Sequence, residues 1–573
     1  VFYFSNIFNC ISSFYRNFES NTNLIYLTNS TVLFIILLKL KQELLFVSQE
    51  LNQALWNSAN IMRGSMNADE YKDYLLGLVF YKYLSDRQLY EVVDLLEDRK
   101  PETLNEAQKI YENAQKSEDW KDLKDELESK FGYAINPSST FTALYNEINN
   151  HTFMTDHLRQ GMRDIEQGGS KIHKPYEDLF EDFDIDSKSL GNTPAKRNVV
   201  LAGVMKELAK IDFNKYGEDA LGNAYEYLIG EFAAGSGKKA GEFYTPQSVS
   251  TLITRIVTLG QESRIGFSIY DPCMGSGSLL LQARNFIKDS HLIQFFGQEN
   301  IHTTYNLARM NMILHNVLFE YQHFRNGDSL SEDWPTEEPT NFDAVCMNPP
   351  YSQQWSAEKG FLTDPRFQSY ERLAPKSKAD FAFLLHGFYH LKDTGTMGIV
   401  LPHGVLFRGA AEGVIRQHLL EHGSIYAVIG LPASIFFNTS IPTCVIILKK
   451  KREGRDVLFI DASKEFKKDK AKNLMLPEHI EKIITAYIER RDVEKFSHLA
   501  TFEEIEENNF NLNIPRYVDT FEEEEPINLA EVAGKISEAK NELQTEMSAF
   551  IEMTKELNGE GIEDFLKSLG GGK

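Results

Sequence analysis

The tetrapeptide Asn348-Pro349-Pro350-Tyr351 ends an apolar run, Asn341 to Met347, and it has the composition needed to activate an aromatic amine. Such an amine is a poor nucleophile because its lone pair is delocalised into the ring. The Asn348 side-chain oxygen and the Pro349 carbonyl can each accept one of its N–H groups, drawing the nitrogen toward tetrahedral geometry. Pro349 and Pro350 stiffen the loop, so both acceptors are set before the amine arrives. Tyr351 offers a π-face for stacking against a base that has left the duplex. Phe436 and Phe437 can supply a second aromatic wall, and either can equally be core. The expected catalytic set is Asn348, Pro349, Pro350 and Tyr351, and the expected acceptor is adenine N6 in DNA.

A methyl donor fits the turn Asp271-Pro272-Cys273-Met274-Gly275-Ser276-Gly277. It lies between a short apolar run and a leucine-rich helical start, with glycines where a ligand must approach the backbone. Asp271, Gly275, Ser276 and Gly277 are the candidate contacts. Glu299, about 20 residues on, is placed to accept both ribose hydroxyls. Asp328 follows a third candidate strand and can accept from the adenine amino group of the cofactor. Glu242, Phe243, Tyr244, Thr245, Pro246 and Gln247 are expected at the methionine end, with Pro246 opening a helix. The donor implied is S-adenosyl-L-methionine. NAD would suit the same turn, but Leu280 stands where the dinucleotide fingerprint needs its third glycine. The stretch Gly235 to Lys239 fails as a Walker loop, with Phe232 and Lys239 at its diagnostic positions. Cys10, Cys273, Cys346 and Cys444 show no metal-ligand spacing, so no metal is expected; this usage suits a reduced, cytoplasmic protein.

These motifs need a scaffold that delivers them to one rim. Candidate strands at 265–270, 292–298, 342–347, 396–401, 425–430, 443–449 and 457–460 alternate with helical runs. That pattern predicts a doubly wound, mostly parallel sheet whose ligands sit beyond the strand carboxyl ends. The fold class expected is α/β, a Rossmann-like methyltransferase domain at 191–470, flanked by an N-terminal helical domain at 47–190 and a C-terminal helical tail. Asn67 to Glu70 reads as a capping box, followed by Tyr71, Tyr74, Leu75, Leu78 and Val79 at helical spacing. Trp120, Leu123 and Leu127 form a second stripe. A connecting region spans 471–526. The tail, 527–573, carries Leu529, Val532, Ile536, Ala539, Leu543, Phe550, Met553 and Leu557 at near-heptad spacing, suited to subunit assembly.

The chain has 573 residues and a net charge of −23. An acidic body repels duplex DNA, so a partner is expected to supply much of the grip. The loop Ser352 to Ala379 is locally basic and aromatic, with Lys359, Arg366, Arg372, Lys376 and Lys378 among Trp355, Phe361, Phe367 and Tyr370; it is a candidate DNA contact. Residues 1–46 read as a non-native leader or disordered extension, with Val47 as a possible start. Their longest apolar run is too short for a membrane span.

The ordered set Asn67 to Tyr74, Gly241 to Pro246, Asp271 to Gly277, Asn348 to Tyr351, Leu401 to Phe407 and Asn511 to Tyr517 resembles the modification subunit of type I restriction–modification systems. The motif order resembles gamma-class amino-methyltransferases. The resemblance implies N6-adenine methylation of double-stranded DNA by a complex of two such subunits with one specificity subunit, which reads the target. A restriction subunit can join that complex. Two other readings remain open on the residues: a protein glutamine N5-methyltransferase using the same tetrapeptide, and a non-catalytic assembly subunit.

Overall fold

The computed structural model describes residues 51–63, 66, 68–168, 174–213, 218–235, 244–436, 439–469, 472–520 and 529–554. The leader, the Asn67 cap, Glu242, Phe243 and Phe437 lie outside the described residues. Residues 1–518 and 519–573 form two separate units.

The N-terminal part of the first unit is helical. It comprises α1 (51–63), α2 (Ala68–Glu97), α3 (Leu104–Ala114), α4 (Trp120–Phe131), α5 (Phe141–Asn149), α6 (Thr155–Glu166), α7 (Pro194–Leu208) and α8 (Glu218–Gly235). Threonines set several helix starts by accepting backbone N–H groups: Thr103 from Glu106, Thr140 from Ala143 and Thr193 from Lys196. Tyr71, Tyr74, Leu75, Leu78 and Val79 are buried as their spacing predicts. In α4, Leu123 and Leu127 are buried, and Trp120 tilts against Tyr111. Residues of α7 and α8 join the same apolar core.

The sheet that follows has nine strands in the order β11-β8-β6-β7-β5-β4-β1-β2-β3. They are β1 (Ser268–Asp271), β2 (Gln294–Glu299), β3 (Gln322–Asn326), β4 (Phe342–Met347), β5 (Leu391–Pro402), β6 (Ile425–Gly430), β7 (Thr443–Lys449), β8 (Val457–Asp461) and, after a small hairpin of β9 (Lys467–Asp469) and β10 (Lys472–Leu474), β11 (Ser497–Ala500). Strands β3, β2, β1, β4 and β5 are parallel neighbours. Strand β7 runs antiparallel between β5 and β6. Helices α9 (Gln247–Thr258), α10 (Ser278–Leu281), α11 (His302–Leu314), α12 (Asp380–Tyr389), α13 (Ala410–Glu421), α14 (Pro477–Glu489) and α15 (Phe502–Glu507) accompany it.

Each central strand divides its side chains between two cores. Ile269, Ala344 and Cys346 face one, and Tyr270, Val345 and Met347 face the other. Burial on both faces is why these strands read as continuous apolar runs. The chain enters at β1, winds outward to β3 and returns to β4 on the other side of β1. That reversal opens a crevice beyond the carboxyl ends of β1 and β4. Buried Asp343 ties the opposite ends of these two strands, accepting from the Ser268 backbone N–H at 3.0 Å and from its hydroxyl at 2.9 Å. Helix α11 joins the layers: Ala308 and Met312 face the sheet core, while Leu307, Met310, Ile313 and Leu314 enter the helical core.

The second unit contains α16 (Leu529–Thr554). On it Val532, Ile536, Leu543, Phe550 and Met553 are exposed. Among the described residues no helix is long and apolar enough to cross a membrane.

Candidate active site

Four consecutive strand ends carry the predicted residues. Asp271 closes β1, Glu299 closes β2, Asp328 lies two residues beyond β3, and Asn348 follows β4 directly. Thr245, Asp271, Cys273, Gly275, Ser276 and Asn348 line one narrow cleft.

The glycine turn is shaped by its backbone. Gly275 and Gly277 have φ of 53° and 75°, a region that side chains disfavour. A Cβ on Gly277 would also meet the Met312 methyl at 3.2 Å. Gly277 N–H closes the turn onto the Met274 carbonyl at 2.8 Å, and Met274 N–H reaches the Gln298 carbonyl at 3.0 Å. Asn311, on α11, donates to the Ser276 carbonyl at 3.0 Å.

Glu299 accepts from Gly275 N–H at 3.1 Å and from Ile301 N–H at 2.8 Å. Burial raises its pKa, and these backbone bonds oppose the rise. Asp271 is raised further from its ordinary value by burial, with Glu299 adding to the effect. Asp328 is exposed, and the preceding Gly327 donates to the Glu299 carbonyl at 3.0 Å. The charges of Asp271, Glu299 and Asp328 all act on the Cys273 thiol, which burial already holds protonated. These residues suit an adenosyl group: glycines where a Cβ would intrude, a carboxylate beside them, and a second acid beyond β3.

Asn348 is buried and fixed at both ends of its carboxamide. Its Nδ2 donates to Thr245 Oγ1 at 3.2 Å, and its Oδ1 accepts from the Tyr351 hydroxyl at 2.7 Å. Burial pushes the Tyr351 phenol far above its ordinary pKa, so it remains a donor. The Tyr351 ring stands edge-on to Phe436, at 6.2 Å and 87°. Phe436 is itself a core residue.

The Tyr-Thr-Pro run meets the cleft only in part. Tyr244 lines the cleft but also packs against the helical core and Gly230 of α8. Pro246 is the residue just before α9, not its first helical residue, and its carbonyl accepts from Val249 and Ser250. Gln247 lines a separate, wide cleft with Arg255 and Glu481, so the structure does not bring it to the narrow cleft.

The model of the N-6 DNA methylase family matches residues 216–526, and that of the HsdM N-terminal domain matches residues 51–208. The chain belongs to the N-6 DNA methylase family. It is 34% identical over 526 residues to the type I restriction enzyme MpnII methylase subunit of Mycoplasma pneumoniae, an alignment covering 87% of this chain and 95% of that one. The MjaVII methylase subunit of Methanocaldococcus jannaschii is 30% identical, over 86% of this chain and 82% of that one. Among solved structures, the type I restriction–modification methyltransferase subunit of Streptococcus thermophilus is 60% identical with a TM-score of 0.80, covering 83% of this chain and all of that one.

Within this methylase the loop Ser352 to Ala379 divides its cations and aromatics between a buried and an exposed set. Trp355 and Phe367 are buried, and with Phe361 they form a ring cluster that joins the core on one face of the sheet. Arg366 is buried too. It pairs with Asp364 at 2.7 Å and donates to the Ser329 and Leu330 carbonyls and to His386 Nδ1. Lys359, Arg372 and Lys376 are exposed. Alternating cations and aromatics therefore marked a folded loop, with only its outer cations left to meet a polyanion.

Other supports of the methylase site carried weaker signals. Asp380 is wholly buried and accepts from the Ser352 N–H at 2.7 Å and from Arg408 at 2.9 Å, pinning the chain just past Tyr351. An aspartate opening the apolar run Phe381 to Leu385 was the clue. Asp333, His386 and His390 bring ligand atoms within 4.8 Å of one another. Their ring nitrogens are engaged, however, by Tyr270, Arg366, Thr340 and Asp333. With a guanidinium against His386, the cluster is a hydrogen-bond network behind β1.

Proposed function

We propose that this chain is the modification subunit of a type I restriction–modification complex and transfers methyl from S-adenosyl-L-methionine to adenine N6 in double-stranded DNA. A separate specificity subunit selects the target. A second copy of the chain completes the methyltransferase, and a restriction subunit joins it. The observation that carries the reading is the Asn348 carboxamide, held at both ends at the carboxyl end of β4, in the cleft that also contains Asp271, Gly275 and Ser276.

S-adenosylmethionine supplies an electrophilic methyl group on sulfur. Asp271, Gly275, Ser276 and Gly277 would hold it, with Glu299 to accept ribose hydroxyls, Asp328 to accept from the adenine amine, and Tyr244 and Thr245 to bound the methionine end. The target amine takes the place of the Tyr351 hydroxyl on Asn348 Oδ1. The Pro349 carbonyl accepts its other hydrogen, and the nitrogen lone pair is freed from the ring. Both acceptors are preset, so positioning rather than acid–base work supplies most of the acceleration. The Tyr351 and Phe436 rings bound the base. The motif order supports placement in the gamma class. The chain divides into a helical domain at 47–190, the methyltransferase domain at 191–470, a connecting region at 471–526 and an assembly helix at 527–573, and the reaction belongs in the cytoplasm, where the DNA is.

The deciding experiment is methyl transfer from labelled S-adenosylmethionine to duplex DNA, with and without co-expressed specificity subunit, followed by nucleoside analysis. N6-methyladenine formed only with the partner is the expected result. Label in protein rather than DNA would establish the glutamine-methyltransferase reading instead, and no transfer with cofactor binding absent would leave an assembly subunit.

A further inference from the structure

The Asn348 carboxamide has a donor side, Nδ2, as well as its oxygen. Catalysis needs Oδ1 aimed at the incoming amine, because a carboxamide turned the other way presents Nδ2, a donor, to another donor. Something must therefore hold Nδ2. In this structure it donates to Thr245 Oγ1, at 3.2 Å. Thr245 is itself buried and fixed: it immediately precedes Pro246 at the start of α9, and its carbonyl accepts from the Ser250 hydroxyl at 3.4 Å. A residue expected to touch only the cofactor thus makes a hydrogen bond to the amide that activates the base, across more than a hundred residues of sequence.

We propose that Thr245 is a positioning residue for Asn348, holding the plane and orientation of its carboxamide so that Oδ1 receives the target amine. The inference rests on the proposed role of Asn348. The Tyr351 hydroxyl holds the other end only until the target base displaces it. The Thr245 bond then remains to keep the amide from turning. The Thr245 hydroxyl, not its methyl, carries the function, so serine can replace it and the isosteric valine cannot.

The test compares T245V, T245S and N348A in the complete complex with specificity subunit, measuring cofactor Kd, KM for DNA and single-turnover methyl transfer. T245V is expected to lower the transfer rate about tenfold, the effect of losing one hydrogen bond that holds the productive orientation of the amide. The loss in transfer rate exceeds any change in cofactor Kd, and T245S restores most of the rate. A T245V enzyme with normal transfer but weakened cofactor binding would overturn the proposal and leave Thr245 a cofactor contact. Equal loss in T245S and T245V would also overturn it, since the hydroxyl would then not be the active feature. N348A separates the two readings: near-wild-type transfer in that variant removes the Asn348 mechanism itself, whereas an inactive N348A beside a fully active T245V removes only the inference about Thr245.

Discussion

Glu299 meets two opposing demands. In the proposed role its carboxylate would be ionised to accept ribose hydroxyls, yet burial favours the neutral form and raises its pKa from the ordinary 4.5. The stability consequence follows from the sign. A raised folded-state pKa contributes stability below the ordinary value and loses it as pH rises through the raised one. Asp271 has the same sign. Cofactor binding has the opposite slope, because donors from the ribose favour the ionised form. S-adenosylmethionine affinity should therefore fall in acid, by up to about tenfold per pH unit below the raised pKa of a single controlling group. Titrating Kd between roughly pH 5 and 8 by calorimetry tests this against E299Q, which should bind more weakly with a shallower pH dependence. A wild-type affinity independent of pH would remove Glu299 as the hydroxyl acceptor.

At the scale of elements, the segment after β3 is held by Arg366. Its guanidinium takes the Ser329 and Leu330 carbonyls, while neutral His386 accepts from it at Nδ1 and reaches Tyr270 through Nε2. Burial, His390 and Arg366 itself all keep His386 well below its ordinary pKa. Ser329 in turn donates to the Pro272 carbonyl in the cofactor turn. Removing Arg366 leaves Asp364 without its pair and two carbonyls without a donor. R366A should cost about 3–5 kcal/mol in denaturant unfolding and weaken cofactor binding through the displaced turn. R366K should fall between, keeping the charge but not the fork. A stable R366A with unchanged cofactor affinity would show that the loop does not support the turn. None of this was legible in the sequence, because a buried arginine and an exposed one look alike until the fold supplies their neighbours. What was legible depended on strong local signals. Strands 342–347, 425–430 and 443–449 were placed as observed because burial on both faces makes them continuous apolar runs. Strand β11, Ser497–Ala500, has no such run and exists by pairing with β8 at the sheet edge. The cleft residues Asp271, Gly275 and Asn348 were found because turn and loop chemistry is local. Thr245's bond to Asn348 was missed because it joins residues far apart in sequence.

For the whole molecule the governing quantity is charge. A net −23 opposes a polyanion at every distance within the Debye length, about 8 Å at physiological salt. The exposed Lys359, Arg372 and Lys376 are too few to reverse that field. Non-specific protein–DNA affinity of about 10⁻⁴–10⁻⁶ M comes from neutralised phosphates, so the chain alone should bind a duplex more weakly than this. In the proposed complex the specificity subunit then brings the cations, and the chain holds that subunit tightly enough to use them. The exposed stripe Val532, Ile536, Leu543, Phe550 and Met553 on α16 supplies an apolar seam of the required kind. A chain ending at Val518 retains the whole of the first unit. It should keep S-adenosylmethionine affinity and its unfolding midpoint, yet fail to co-elute with the specificity subunit or acquire DNA binding from it. Charge reversals at Ile536 and Leu543 in the full chain should do the same without shortening it. If the shortened chain still assembled and bound DNA with the salt dependence of the full complex, the seam would lie elsewhere. If the full chain alone bound duplex tightly at physiological salt, the charge argument would fail, since no partner would then be needed to overcome the repulsion.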